Sequence, residues 1–366
     1  MRIGVPLEIK PQEGRVALLP PQVAKLCASG HPVMVETGAG VNADADDQAY
    51  RDAGADIETD AKSVFEAAEL IVKVKEFLPQ EYGLLRQQHT VLTNLHSAAN
   101  PEQLDRLLEV GLVAIAAEDT HRFGSPNCAL AGEVGAFEGV RMVMACHGGT
   151  GRHFMGHFGA APATALVIGL GSVGRAALRT LLGLGMRVIG LDISAGARKE
   201  TMLHWHDRGF QADPIEALPQ HLPEADLVVN CVLWDKHRSD HLLSRDMLGL
   251  MKSRAAIVDI SCDPAGAVET CRATTWQDPI YQVDGIRHFC VDNIPGAVPI
   301  TASAGYAEAL LPKVALIAEF GVLEACRRDS WLARGLTTVA GRLTLEEAAR
   351  VQNRPYTPVN EVLAAG

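Results

Sequence analysis

Short apolar runs alternate along this chain with longer segments whose apolar residues recur at helical spacing. That alternation predicts βαβ units around mostly parallel sheets. In the first third, strands are expected at residues 2–6, 33–37, 70–74, 90–95 and 113–117. Helices are expected between them at 21–29, 46–53, 79–86 and 101–110, three of which close on Gly30, Gly54 and Gly111. The pattern changes near Cys128. A helix is expected from Glu133 to about Ala145, then a second strand series at 164–168, 187–191, 227–232, 256–260 and 289–291. The longest helical pattern follows, at 304–323, and the tail 336–366 reads as partly helical.

One long helix and a polar tail cannot build a core of their own, so the last segment is expected to rejoin the first domain. The expected architecture is α/β: two Rossmann-like, doubly wound domains separated by a cleft. One comprises residues 1–128 with 302–366 and the other residues 129–301.

Composition narrows the class. Lys and Arg total 33 against 44 Asp and Glu, a net charge of −11, which argues against a nucleic-acid partner. With 48% hydrophobic and 21% charged residues, a folded core is expected rather than disorder. No apolar stretch reaches the ~20 residues that span a bilayer, so no membrane partner is expected. The N-terminus reads as a strand, not a signal peptide. Eight cysteines show no C-x-x-C pair; scattered reduced thiols and a cytoplasmic location are expected, with no metal centre.

The segment 164–168 runs into Gly169-Leu170-Gly171-Ser172-Val173-Gly174, then into a helical stretch, and Asp192 ends the next strand 18 positions after Gly174. Strand, glycine loop, helix and acid together form the dinucleotide fingerprint; a glycine turn in a ligand-free layer is the competing reading. Gly169 permits the turn, Gly171 lets backbone approach a pyrophosphate, and Gly174 lets helix and strand pack closely. The N–H groups of Ser172 and Val173 open the helix toward the phosphates. Asp192 suits a ribose 2′-OH and repels a 2′-phosphate, favouring NAD; Arg198, six residues on, leaves NADP possible. Leu233, Asp263, Asn293 and Ile294, all after expected strand ends, complete the candidate cofactor contacts.

Further polar groups also fall after strand ends, where open α/β sheets gather ligands. They are Lys75, His96 and Glu118 in the first domain and Asp263 and Asn293 in the second, with Arg15 in the loop after the first strand. Each has a plainer reading. Lys75 lies in a charged run with Lys73 and Glu76 that could be solvated surface; His96 could cap a helix; Glu118 and Asp119 could be turn residues; Arg15 could be a surface charge.

Five segments in order resemble the alanine dehydrogenase and nicotinamide nucleotide transhydrogenase family. They are Glu8-Ile9-Lys10-Pro11-Gln12-Glu13-Gly14-Arg15-Val16-Ala17, Val72-Lys73-Val74-Lys75-Glu76, Leu95-His96-Ser97-Ala98-Ala99, the glycine loop with Asp192, and Cys290-Val291-Asp292-Asn293-Ile294-Pro295-Gly296-Ala297-Val298-Pro299. The resemblance implies that residues 1–128 with 302–366 carry substrate and 129–301 carry NAD. It implies that Arg15 and Lys75 hold the carboxylate and α-oxo oxygen and that His96 is the acid/base. It places Asp263 between cofactor and substrate, and Asn293 beside the nicotinamide and substrate. The implied activity is an NAD(H)-dependent amino-acid or imino-acid oxidoreductase. An opine- or saccharopine-type dehydrogenase and a transhydrogenase-like nucleotide-binding subunit are the alternatives. Relatives imply a homo-oligomer, dimer or hexamer, with an amino acid or oxo acid as substrate.

The stretch 146–159 departs from the family's more apolar sequence through Arg152, His153 and His157. Ala131-Gly132-Glu133 also lacks a usual hydroxyl, Ile300 replaces a common basic residue, and residues 304–308 replace a more Thr/Asn-rich run. His153 and His157 have helical i, i+4 spacing, which opens a metal reading. The same polar groups could instead read a larger substrate, or reflect surface drift.

Overall fold

A computed structural model describes the chain except residues 123, 236, 237, 239, 263–265 and 366. It contains two compact units, Met1–Asn127 with Val298–Gly366, and Cys128–Ala297.

In the first unit, strands β1 (Ile3–Val5), β2 (Val33–Glu36), β3 (Asp56–Glu58), β4 (Leu70–Val72), β5 (Thr90–Thr93) and β6 (Val113–Ala116) pair in parallel in the order β3-β2-β1-β4-β5-β6. This is the doubly wound order, whose direction reverses between β1 and β4. Side chains alternate as the pleat requires. Ile3, Val5, Leu70, Val72 and Leu92 enter one buried layer, while Met34, Ile71, Val91 and Ala114 enter the other. Both faces are thus buried, which is why these strands read as continuous apolar runs.

The second unit repeats the plan. Strands β7 (Thr164–Ile168), β8 (Arg187–Asp192), β9 (Gln211–Pro214), β10 (Leu227–Asn230), β11 (Ala256–Asp259), β12 (Ile280–Val283) and β13 (Ile286–Phe289) lie in the order β9-β8-β7-β10-β11-β13-β12. Only β12 and β13 pair antiparallel. Ala165, Val167, Val229 and Val258 face one layer, and Leu166, Ile168, Val228 and Ile257 the other.

Several expectations shift. The strand read at 289–291 is β13, ending at Phe289, because Asp284 and Gly285 (φ 48° and 83°) make a tight hairpin with β12. Residues 79–84 form a 3-10 segment, not an α-helix, with Glu81 turned inward to Lys73 and to the Leu78 N–H. The helix expected from Glu133 starts earlier, at Cys128–Val143; Gly132 and Gly135 hid its first turns by lowering helix propensity. The helix expected at 304–323 is Pro299–Phe320, closed by Gly321. The tail expected to be partly helical also carries strands β14 (Leu336–Val339) and β15 (Arg342–Leu343), and β14 pairs antiparallel with β6. Among the described residues, no helix is long and apolar enough to cross a membrane.

Candidate functional site

In the first unit β6, β5, β4 and β1 are consecutive neighbours, and the segments leaving their carboxyl ends carry Glu118, His96, Lys75 and Arg15. Topology therefore brings four residues spread over more than a hundred positions to one edge of one sheet, across its switch point.

Arg15 is not a surface charge. Its side chain is 4% exposed and forms a two-pronged pair with Glu13, Nε to Oε1 at 2.8 Å and Nη2 to Oε2 at 2.6 Å. With its amide turned so that both ends are satisfied, Asn127 accepts from Nη1 at 3.0 Å and donates to the Ala302 carbonyl. Burial works against the guanidinium charge, but Glu13 more than offsets it, so the Arg15 pKa is raised.

Nor is the lysine run solvated. Lys73 is 1% exposed and lies between Glu8, 3.5 Å away, and Glu81. Burial lowers its pKa, yet those two carboxylates raise it overall. Glu8 also accepts the backbone N–H groups of Val74 and Lys75, fixing the end of β4. The Lys75 side chain is 8% exposed, with Nζ 3.6 Å from Glu76 Oε2. The Thr93 hydroxyl donates to its carbonyl at 2.7 Å. Burial pushes Glu76 up, but Lys75 and Lys10 bring it down to about 2. The two lysines thus do different work: Lys73 is an internal tie, and Lys75 stands at the strand end. Tyr306, from the helix Pro299–Phe320, donates its hydroxyl to the Lys73 carbonyl at 3.1 Å.

His96 has φ 45°, a left-handed conformation costing about 1–2 kcal/mol for a non-glycine residue. Glu118 holds that turn, accepting the N–H of Leu95 at 3.1 Å and of His96 at 2.6 Å. Its Oε1 also lies 3.8 Å from His96 Nδ1, while the imidazole remains half exposed. Strain held by a mostly buried carboxylate beside an accessible imidazole is an arrangement found at functional sites. Burial pushes the Glu118 carboxyl from 4.5 up to about 7. Its ionisation is therefore harder in the folded chain than in the unfolded one. Stability contributed by protonated Glu118 declines as pH rises from about 4.5 through about 7, because the unfolded chain releases this proton first. Glu118→Gln is expected to flatten that part of the melting-temperature profile between pH 5 and 8; an unchanged slope would refute the assignment.

In the second unit Gly169 has φ 89° and donates its N–H to Leu191 at 2.7 Å. Gly171 precedes the helix Ser172–Gly183, and no side chain caps that helix. The first-turn N–H groups of Ser172 and Val173 therefore open onto the loop. A Cβ at Gly171 would meet no protein atom within 4 Å, whereas one at Gly174 would lie 1.8 Å from the Gly169 oxygen. The loop is closed behind and open in front, which fits a pyrophosphate.

Asp192 is oriented by two backbone bonds at 2.7 Å, Leu170 N–H to Oδ2 and Ser194 N–H to Oδ1. Arg198 donates to the Asp192 carbonyl at 2.5 Å, so it is engaged in holding this turn. Leu233, after β10, is exposed. Asn293 and Ile294 are buried after β13, and the Asn293 carbonyl accepts from the Trp276 indole at 2.9 Å. Asp263 lies outside the described residues.

In the stretch 146–159 the helical spacing behind the metal reading is absent. His153 and His157 are not on a helix; Gly156 has φ 73°, and His157 makes an isolated bridge to Ala160. Arg152 Nε lies 3.6 Å from Asp226, which also accepts from Lys252 and from the N–H of Thr164, the first residue of β7. The arginine thus serves the amino-terminal edge of the sheet, opposite the glycine loop.

Family models named "Alanine dehydrogenase/PNT, N-terminal domain" and "Alanine dehydrogenase/PNT, C-terminal domain" match residues 4–130 and 135–346. The chain belongs to the alanine dehydrogenase/PNT family. Within it, the chain is 36% identical over 371 residues to the alanine dehydrogenase of Bacillus subtilis, covering 99% of this chain and 98% of that one. It is 35% identical over 374 residues to the alanine dehydrogenase of Mycobacterium tuberculosis H37Rv, covering all of both. A solved L-alanine dehydrogenase superposes with a TM-score of 0.89 at 36% identity, over 96% of this chain and 99% of that one. A transhydrogenase from Sinorhizobium meliloti shares the fold, with a TM-score of 0.75 at 24% identity over 94% of this chain and 98% of that one.

Against this family's pattern, the reading by residues alone undervalued the carboxylates. Glu13 and Glu8 sit inside the first matching segment, yet nothing local reveals that one orients Arg15 and the other ties the end of β4. Glu118 read equally well as a turn residue; its burial and its two backbone bonds mark it out.

Proposed function

We infer that this alanine dehydrogenase/PNT family member is an NAD-dependent oxidoreductase acting on the CH–NH2 group of a small amino acid, with alanine and pyruvate as its pair. The reading is carried by Arg15, Lys75 and His96 at adjacent strand ends of one sheet, beside relatives named alanine dehydrogenase at 33–37% identity over the full chain.

Bound NAD supplies the hydride acceptor at nicotinamide C4. Arg15, held in orientation by Glu13, receives the substrate carboxylate. Lys75 places its cation at the α-oxo oxygen as charge develops there. Neutral His96 takes the proton from the water that attacks the imino carbon and returns it in the reverse direction. Glu118 fixes the backbone on which that imidazole stands and, once ionised, favours its protonated form. Ser172 and Val173 N–H groups hold the pyrophosphate, and Asp192 accepts from the adenosine ribose and disfavours NADP. Leu233 and Ile294 would line the dinucleotide and Asn293 would border its nicotinamide, the role that the resemblance also gives Asp263.

Substrate is handled by the unit containing Lys75, and the dinucleotide by the unit containing Gly171. We further propose a cytoplasmic homo-oligomer. The neighbouring but unjoined thiols of Cys271 and Cys290 suit a reducing compartment; sedimentation of the purified chain tests the assembly.

Following NADH oxidation with pyruvate tests the reaction. Turnover with ammonium is expected, and alanine with NAD should run it backwards. Turnover only with primary amines or amino acids in place of ammonium would replace this reading with the opine-type one.

A further inference from the structure

Three of the chain's eight cysteines meet in the unit Cys128–Ala297. Cys290 Sγ lies 3.4 Å from Cys271 Sγ, and the Cys262 thiol hydrogen-bonds with both. Tyr281 Oη is 3.6 Å from Cys290 Sγ, with its ring stacked on His288. Cys290 is buried, while Cys262 and Cys271 are partly exposed. Their backbones are held together as well: the Thr274 N–H donates to the Cys290 carbonyl at 2.9 Å, and Thr274 bridges Val291. A disulfide of about 2.05 Å needs the two sulfurs to close by only about 1.4 Å.

The cluster has no part in the chemistry derived above, yet it borders it. Cys262 directly precedes Asp263, and Cys290 is three residues before Asn293. The Cys290 S–H donates toward Cys271 Sγ, the sulfur that solvent reaches, and so favours a thiolate there.

We propose that Cys271 and Cys290 form a reversible disulfide on oxidation by a peroxide, and that its closure weakens dinucleotide binding. Cys271, which solvent reaches, releases its proton to water and attacks the peroxide. The O–O bond breaks, Cys271 becomes a sulfenic acid, and the other oxygen leaves as hydroxide. Cys290 then attacks the Cys271 sulfur, the S–O bond breaks, and water leaves with the Cys290 proton. Two sulfurs lose two electrons, and one peroxide accepts them. Closing the two sulfurs by about 1.4 Å pulls on the strand end that leads, three residues on, to Asn293. This coupling rests on the dinucleotide role given above; the disulfide itself does not.

The test is hydrogen peroxide treatment of the whole chain, followed by free-thiol titration, peptide mapping by mass spectrometry and NADH titration. The expected result is loss of two thiols, a peptide linking 271 to 290, and NADH affinity reduced by about fivefold or more until dithiothreitol restores it. Cys262→Ser should keep that link. Oxidation confined to exposed Cys146, a link from Cys262 instead, or equal NADH affinity of the oxidised and reduced chains would each overturn the proposal. A reduced chain that fails to bind NADH would instead count against the dinucleotide role, with the 271–290 peptide still testing the disulfide.

Discussion

Lys75→Ala is expected to lower turnover of pyruvate, ammonium and NADH by about 10²–10³-fold, the scale on which a single preorganised donor to a developing oxyanion acts. The argument is positional. Lys75 is buried at the carboxyl end of β4, its backbone is fixed by Glu8 and Thr93, and its cation stands at the switch point of the sheet. The fold should tolerate the change, because Glu76 keeps Lys10 at 2.8 Å and so is not left as an uncompensated buried charge. NADH titration should be unaltered, which separates lost chemistry from lost binding. His96→Ala should behave in the same direction through loss of the proton acceptor. Full turnover in both variants would remove these residues from the mechanism.

The second large effect concerns the glycine loop, and two substitutions three residues apart should fail for different reasons. An alanine Cβ at 174 would stand 1.8 Å from the Gly169 oxygen, so helix and loop must move apart. Overpacking of this kind costs about 1–3 kcal/mol, and Gly174→Ala should lower the melting temperature as well as NADH affinity. An alanine Cβ at 171 meets no protein atom within 4 Å, and the backbone there has φ −74°, which any residue adopts. Gly171→Ala should therefore melt like the unmodified chain and yet bind NADH at least about tenfold more weakly, a difference of about 1.4 kcal/mol. Wild-type affinity in Gly171→Ala would show that no phosphate approaches the front of the loop.

The buried parallel strands were legible because both of their faces are apolar: β7 matches its expected span, and β1, β4, β5 and β6 lie within theirs. Edge strands and the returning strand β14 were not. Asp56–Glu58 and Gln211–Pro214 are polar because each has a strand on only one side, and Thr-rich Leu336–Val339 gives no periodic signal that separates strand from loop. At the candidate site, the reactive types and their strand-end positions could be read locally. Their surroundings could not, since the carboxylate that fixes Lys75 is Glu8, 67 positions away, and the one that fixes His96 is Glu118, 22 away. A charged run such as Lys73-Val74-Lys75-Glu76 looks solvated until the chain folds its counter-ions around it.

The antiparallel strand β14 completes the sheet begun at Ile3, with the whole of Cys128–Ala297 lying between the two in sequence. On the ribosome, the inserted unit has all its residues before the first unit does, and it can become native while β6 still waits for its neighbour. A nascent or clipped chain ending before Leu336 would carry β6 as an open edge, a template for pairing with another copy. Synthesis order thus makes the last thirty-odd residues the closing latch of the part that emerged first.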